Sequence, residues 1–236
     1  MINALMWSKN FDLNEKLDKI VEKLSPSGWG AIETDVLLDT VKLTRDLDIY
    51  TAKPAEVIAA LKEDSSLLET LPQNLECAID LLAQHCHVSG PAMLPYTYQL
   101  AILADAARLK GGVLTGAVAK SLVRWFWMTT YTEYFSGMTS TQLRHAARHV
   151  RSLIMEDGAI EPPDMATEVQ PVRKFDFNSA RTRALVLVLL QQKPVHHEEQ
   201  QMDVDELVGE LGVRAIPKIF SRQELGTSAS GDGPEN

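Results

Sequence analysis

Apolar residues recur three and four positions apart along most of the chain, and the alternating β-branched runs of half-buried strands are scarce, so the pattern predicts an all-α protein. Leu17, Ile20, Val21 and Leu24 form one such stripe, ended by Ser25-Pro26-Ser27-Gly28 ahead of Trp29. A second helix is expected from about Thr34 to Leu47. Pro54 suits the first position of a third, which runs through Ile58 and Leu61. Leu67 to Cys86 reads as another, interrupted or restarted at Pro72, and Gly90-Pro91 and Pro95 then break the chain. Tyr96 to Leu109 is rich in Ala and Leu and stops at Gly111-Gly112. Leu114 to Phe135 follows as a long aromatic helix closed by Gly137.

Thr139-Ser140-Thr141 is placed to cap the next helix, Gln142 to Met155, which closes at Asp157-Gly158. From Ala159 to Pro171 the chain holds three prolines and several acidic residues with no periodicity, as in an exposed loop connecting two parts of the structure. Val172 to Phe177 suits a short extended segment. Asn178-Ser179 then caps an apolar helix from Ala180 to Gln192, stopped by Pro194. The expected architecture is an irregular multi-helix bundle of about eight to nine helices. Its parts are a main helical bundle over 1–158, an acidic proline-containing loop over 159–171, a C-terminal helical part over 172–225 and a disordered acidic tail over 226–236.

Composition narrows the class without naming a function. At 236 residues, 45% apolar and 23% charged, the chain is an ordinary globular one, neither collagen-like, disulfide-built nor disordered throughout. The two cysteines, Cys77 and Cys86, make no disulfide framework, and a reducing, cytoplasmic setting is expected. No basic leader followed by an apolar run opens the chain. The most apolar stretch, Ala184 to Leu190, is far shorter than the ~20 residues that span a bilayer, so no membrane partner is expected.

The net charge of -9 excludes a chain that coats nucleic acid with its whole surface, yet the charge is uneven. Residues 121–155 carry a net +3 and 170–193 a net +4, separated by -5 over 156–169. Arg144, Arg148 and Arg151 stand at i, i+4 and i+7 on the helix whose buried stripe is Leu143, Ala147, Val150 and Ile154. Arg173, Lys174, Arg181 and Arg183 would extend that basic face if the fold joins the two segments. Two readings stay open: contact with DNA backbone phosphates, or pairing with the acidic loop 156–169.

The metal-ligand residue types do not form a metal pattern. Cys77 and Cys86 fall on opposite sides of a helix, so His85-Cys86-His87 lacks a convergent fourth ligand. His145 and His149 share a helix face, but Ala146 and Ala147 stand where a metalloprotease would need its Glu. Trp125, Phe126 and Trp127, with Tyr131, Tyr134 and Phe135, put an aromatic stripe on one helix, and 127, 131, 134 and 135 are expected to share a face in the core. A base-stacking platform would need those rings exposed. No phosphate loop, nucleophile elbow or dinucleotide fingerprint occurs. No catalytic, cofactor-binding or metal-binding residue is therefore assigned.

A succession of short motifs carries a resemblance. They are Phe11-Asp12-Leu13 with Trp29-Gly30; Leu94-Pro95-Tyr96; Trp125-Phe126-Trp127 with Tyr134-Phe135-Ser136-Gly137 and Gln142; and Phe175-Asp176-Phe177 with Arg183-Ala184 and Gln192-Lys193-Pro194. Over roughly residues 5–225 this order resembles the helical middle region of GmrSD-type restriction factors, bacterial anti-phage proteins with an N-terminal ParB-like domain and a C-terminal His-Asn-His nuclease. The resemblance implies that two catalytic elements are missing. The family's Asp-Gly-Gln-Gln-Arg motif would precede Met1. Where the family's nuclease begins with His-His-Ile-Phe-Pro-Lys, this chain has Pro217-Lys218-Ile219-Phe220-Ser221-Arg222, and a Lys is no substitute for a neutral imidazole. His196 and His197 come too early to replace them. The resemblance thus implies a non-catalytic helical module that contacts a ParB-like or nuclease partner protein and the DNA backbone. Its alternatives are one subunit of a split DNA endonuclease, or a DNA-binding regulator.

Overall fold

The structure, a computed structural model, describes residues 13–155, 176 and 178–192. Its order is α1 (Leu13–Leu24), a 3-10 turn (Ser25–Ser27), α2 (Thr34–Thr44), α3 (Pro54–Glu63), α4 (Ser66–Cys86), a second 3-10 turn (Pro91–Met93), α5 (Thr97–Leu109), α6 (Gly116–Tyr131), α7 (Ser140–Met155) and α8 (Ala180–Gln191). Among the described residues there are eight α-helices and no strand, so the protein is all-α.

The bundle is organised around α5. Every residue from Gln99 to Ala107 is buried, and a helix apolar on all sides belongs inside a core rather than on its surface. Its small residues Ala101, Ala104, Ala106 and Ala107 let α4 and α2 pack closely on two sides while α7 covers a third. The helices α6 and α8 pack on each other and on α4, and α1 lies against α4 and α2. Val186, Leu187 and Leu190 of α8 join the same core as Leu75, Ile79 and Leu82 of α4.

The two polar side chains buried on α5 are both held. Gln99 Nε2 donates to Thr129 Oγ1 and Thr130 Oγ1, each at 2.9 Å, and to the Phe126 carbonyl at 3.2 Å, which ties α5 to α6. Asp105, 3% exposed, accepts from Arg108 Nε at 2.9 Å and from Arg151 Nε of α7. Arg151 also donates to the Leu43 carbonyl near the end of α2, which accepts from the Asp46 N–H as well. One guanidinium therefore joins α2, α5 and α7.

Local signals explain several helix ends. Thr139 and Gln142 form a reciprocal capping box on α7: Gln142 N–H donates to Thr139 Oγ1 at 3.3 Å and Thr139 N–H to Gln142 Oε1 at 2.9 Å. Helix α2 ends at Thr44, short of Leu47, because Asp46 adopts φ +60 and the Leu47 N–H turns back to the Lys42 carbonyl. Pro72 neither interrupts nor restarts α4. The apolar face from Leu67 through Leu71, Leu75 and Leu82 runs unbroken past it, and burying that face outweighs the roughly 3 kcal/mol cost of an internal proline. Helix α6 is shorter than its aromatic pattern suggests, ending at Tyr131, since Glu133 sits at φ +52. Tyr134 and Phe135 consequently lie in the following turn rather than on the helix. Ser179 holds the first flank of α8, but its hydroxyl reaches Glu133 Oε1 at 3.5 Å instead of capping the helix. The expected loop 159–171, the extended segment 172–177 apart from Asp176, and the tail 226–236 lie outside the described residues.

Replacing Asp105 with Ala leaves two partly buried arginines without their shared carboxylate and is expected to cost about 1–3 kcal/mol by urea melts. Asp105→Ala melting like the parent would mean the ion pair does not hold the helices together. A second expectation concerns alkaline pH. Burial pushes the Cys86 thiol up from 9.0 to about 12, so the native state keeps its proton when the unfolded chain has lost it. Stability is full below 9.0 and falls as pH rises toward 12, and Cys86→Ala should flatten that fall in a melting-temperature profile.

Candidate functional site

Two regions of the fold concentrate chemistry-bearing side chains, and the first is the arginine stripe of α7. Leu143, Ala147, Val150 and Ile154 are all buried, so the stripe borders the core as its spacing predicts. The partners of its arginines come from other helices. Arg148 Nε lies 2.9 Å from both carboxylate oxygens of Asp46, and Arg151 is held by Asp105 and the Leu43 carbonyl. Arg144 reaches Thr141 Oγ1 at 3.5 Å. The acidic loop weighed as their partner, and Arg173 and Lys174, fall outside the described residues. Arg181 pairs with Glu133 at 2.9 Å, and Arg183 turns to a separate site. The described basic residues are thus brought together only as far as α7 carries them.

The aromatic stripe divides. Trp125 and Phe126 are buried on α6 and Phe135 in the turn after it, whereas Trp127 and Tyr131 are half-buried and stack on each other with centroids 5.8 Å apart. The four residues 127, 131, 134 and 135 therefore do not make one core face. Phe135 is the centre of a separate cluster, with Tyr134, Tyr96, Trp125 and Tyr98 at 5.2, 5.6, 5.9 and 6.1 Å.

That cluster backs the second region, a cavity of about 510 Å³ that the sequence did not reveal. Gly28 begins its construction. At φ +81, with the Ser89 carbonyl where a Cβ would stand, the position tolerates no side chain. Trp29, the next residue, is 0% exposed and lines the cavity together with Pro91 and Ala92. From there the wall continues through Ile32, Glu33 and Val36 at the start of α2 and Leu94, Tyr96 and Tyr98 at the start of α5, with Arg183 of α8 completing it. Arg183 Nη1 donates to the Leu94 carbonyl at 2.5 Å. Desolvation lowers the pKa of its guanidinium, with the nearby Tyr96 acting the other way. Tyr96 itself is raised from 10.0 to about 12, chiefly by burial and further by Glu133. Tyr98 is fixed from behind by Tyr50, the two hydroxyls 2.8 Å apart.

A smaller cavity of about 370 Å³ lies beside α4, lined by Cys77, Glu76, Asp80, His85 and the Gly112–Thr115 segment. Burial raises the Cys77 thiol from 9.0, with the Leu114 backbone acting the other way. Cys77 and Cys86 are both free thiols. His145 and His149 are exposed on α7. Among the described residues, no group of three or more His, Cys, Asp or Glu is placed to hold a metal ion, and no helix is long and apolar enough to cross a membrane.

Compared with protein-family models, curated proteins and solved structures, the chain matches none.

Gly28→Ala should displace Trp29 and lower the melting temperature with a red shift in tryptophan emission, because strain and a backbone clash act together. An unchanged melt would show that the turn relaxes at no cost. The two α7 arginines should separate in the same assay: Arg151→Ala leaves the buried Asp105 with Arg108 alone and lowers the melt, while Arg148→Ala, whose pair is exposed, leaves it nearly unchanged.

Proposed function

We propose that the chain is a non-catalytic helical module of a GmrSD-type restriction factor, working through contacts with a separate ParB-like or nuclease polypeptide. One observation carries the reading. Trp29, Leu94-Pro95-Tyr96 and Arg183, which belong to three of the motifs behind the resemblance, line one cavity, and Phe135 of the remaining motif packs against Tyr96. Motifs scattered over 155 positions thereby form one side of one module, and this is what a single interaction unit requires. Contact with a DNA backbone is the weaker part of the reading. Arg148 and Arg151 already hold carboxylates, so a phosphate would have to displace Asp46 or Asp105 before gaining its own ion pair.

The purified chain should neither cut plasmid DNA nor hydrolyse nucleoside triphosphates with magnesium or manganese, and it should co-elute in gel filtration with the protein encoded beside it when the two are mixed. Metal-dependent cleavage that survives replacement of His196 and His197 would overturn the non-catalytic reading. Cleavage appearing only in the mixture would favour the split endonuclease. For DNA, a gel shift at two salt concentrations is decisive: a backbone binder loses affinity as log salt rises, with about 0.9 of slope for each phosphate engaged. No shift at low salt leaves protein contact alone.

A further inference from the structure

We propose that the cavity between the N-termini of α2 and α5 binds a small organic anion, its charged head between Arg183 and the first turn of α5 and its apolar body against Ile32, Val36, Leu94 and Tyr96. This goes beyond the partner-binding reading and does not depend on it. The charged end follows from three groups that line the cavity. Helix α5 begins at Thr97 with no side chain capping it and no acidic residue in its first turn, and Thr97 and Tyr98 line the cavity, so the positive end of its dipole lies at that wall without a built-in anion. Arg183, which gives Nη1 to the Leu94 carbonyl, brings a positive charge to the same lining. The third group is Trp29. The residue is 0% exposed, its Nε1–H meets no acceptor among the described residues, and Trp29 is part of the cavity lining. A buried donor without an acceptor costs about 1–3 kcal/mol, which an oxygen of a bound ligand would recover.

The body of the ligand follows from the remaining wall. Apolar and aromatic side chains dominate it, and the volume falls in the ~300–1,000 Å³ range of small-molecule sites. Tyr96 and Tyr98 are immobilised by Phe135, and Tyr98 also by Tyr50, so the aromatic part of the wall is preformed. Glu33 is the opposing charge. It is exposed at the start of α2, where its side chain makes no cap hydrogen bond, and it places a carboxylate at the rim that weakens an anion without blocking it.

Anilinonaphthalene sulfonate, an aromatic anion, supplies the probe in a fluorescence titration of the full chain. The native protein should bind one equivalent, and phenyl phosphate or benzoate should displace it, whichever succeeds identifying the preferred head group. Arg183→Gln should weaken the probe about tenfold or more, as expected for a lost charge-assisted contact. Because Arg183 also holds the Leu94 carbonyl, that variant risks unfolding, so Glu33→Lys provides the second arm: an exposed substitution that should tighten binding about two- to fivefold. Absence of saturable binding, binding that neither small anion displaces, or affinity unmoved by both Glu33→Lys and a folded Arg183→Gln would each overturn the proposal.

Discussion

A carboxylate buried in the middle of the central helix constrains this fold more than any other single group. Asp105 sits on α5, where its neighbours are Leu103, Ala104, Ala106 and Ala107, and a charge there is tolerable only if cations reach it. Arg108 does so from the same helix and Arg151 from α7, and Arg151 continues to the Leu43 carbonyl near the end of α2. The apolar burial around α5 supplies the driving force for packing, but it is nearly indifferent to helix rotation and register. The Asp105–Arg151–Leu43 chain is not, because it is satisfied in one arrangement of α2, α5 and α7 only.

The same helix organises the cavity. With Gln99 and Asp105 fixing α5 lengthwise, its N-terminus is brought to the surface beside the start of α2, and the Gly28–Trp29 turn closes in from the other side. Phe135 then supports Tyr96 and Tyr98 from behind, so a residue just past α6 shapes the wall of a site built mainly by α2 and α5. A rigid buried helix that ends at a surface depression is an economical way to point a dipole at a ligand.

Helix content and most boundaries were legible in the chain, and the reasons are local. The stripes Leu17-Ile20-Leu24 and Leu143-Ala147-Val150-Ile154 are buried as their spacing predicts, and Pro54, Gly111-Gly112 and Thr139 act where their chemistry places them. The misreadings are equally instructive. Pro72 was expected to break α4 and Phe135 to extend α6, because propensity and periodicity carry no information about a face buried elsewhere or a residue held at positive φ. The cavity had a faint signal, namely Gly-Trp and Pro-Tyr pairs in loops, but nothing in either pair indicates that they face each other.

Arg148 and Arg151 show where the division lies. Their spacing on α7, and the apolar stripe beside them, follow from helix geometry, so the sequence by itself determined that a basic edge adjoins the core. Which anion each arginine meets depends on Asp46 and Asp105, residues 102 and 46 positions away. Such pairings arise only when α2, α5 and α7 pack, because helical periodicity orders side chains within about two turns and is silent beyond them. Periodicity and turn chemistry therefore determined the elements, whereas tertiary packing decided which charges are consumed internally and which surround an open cavity.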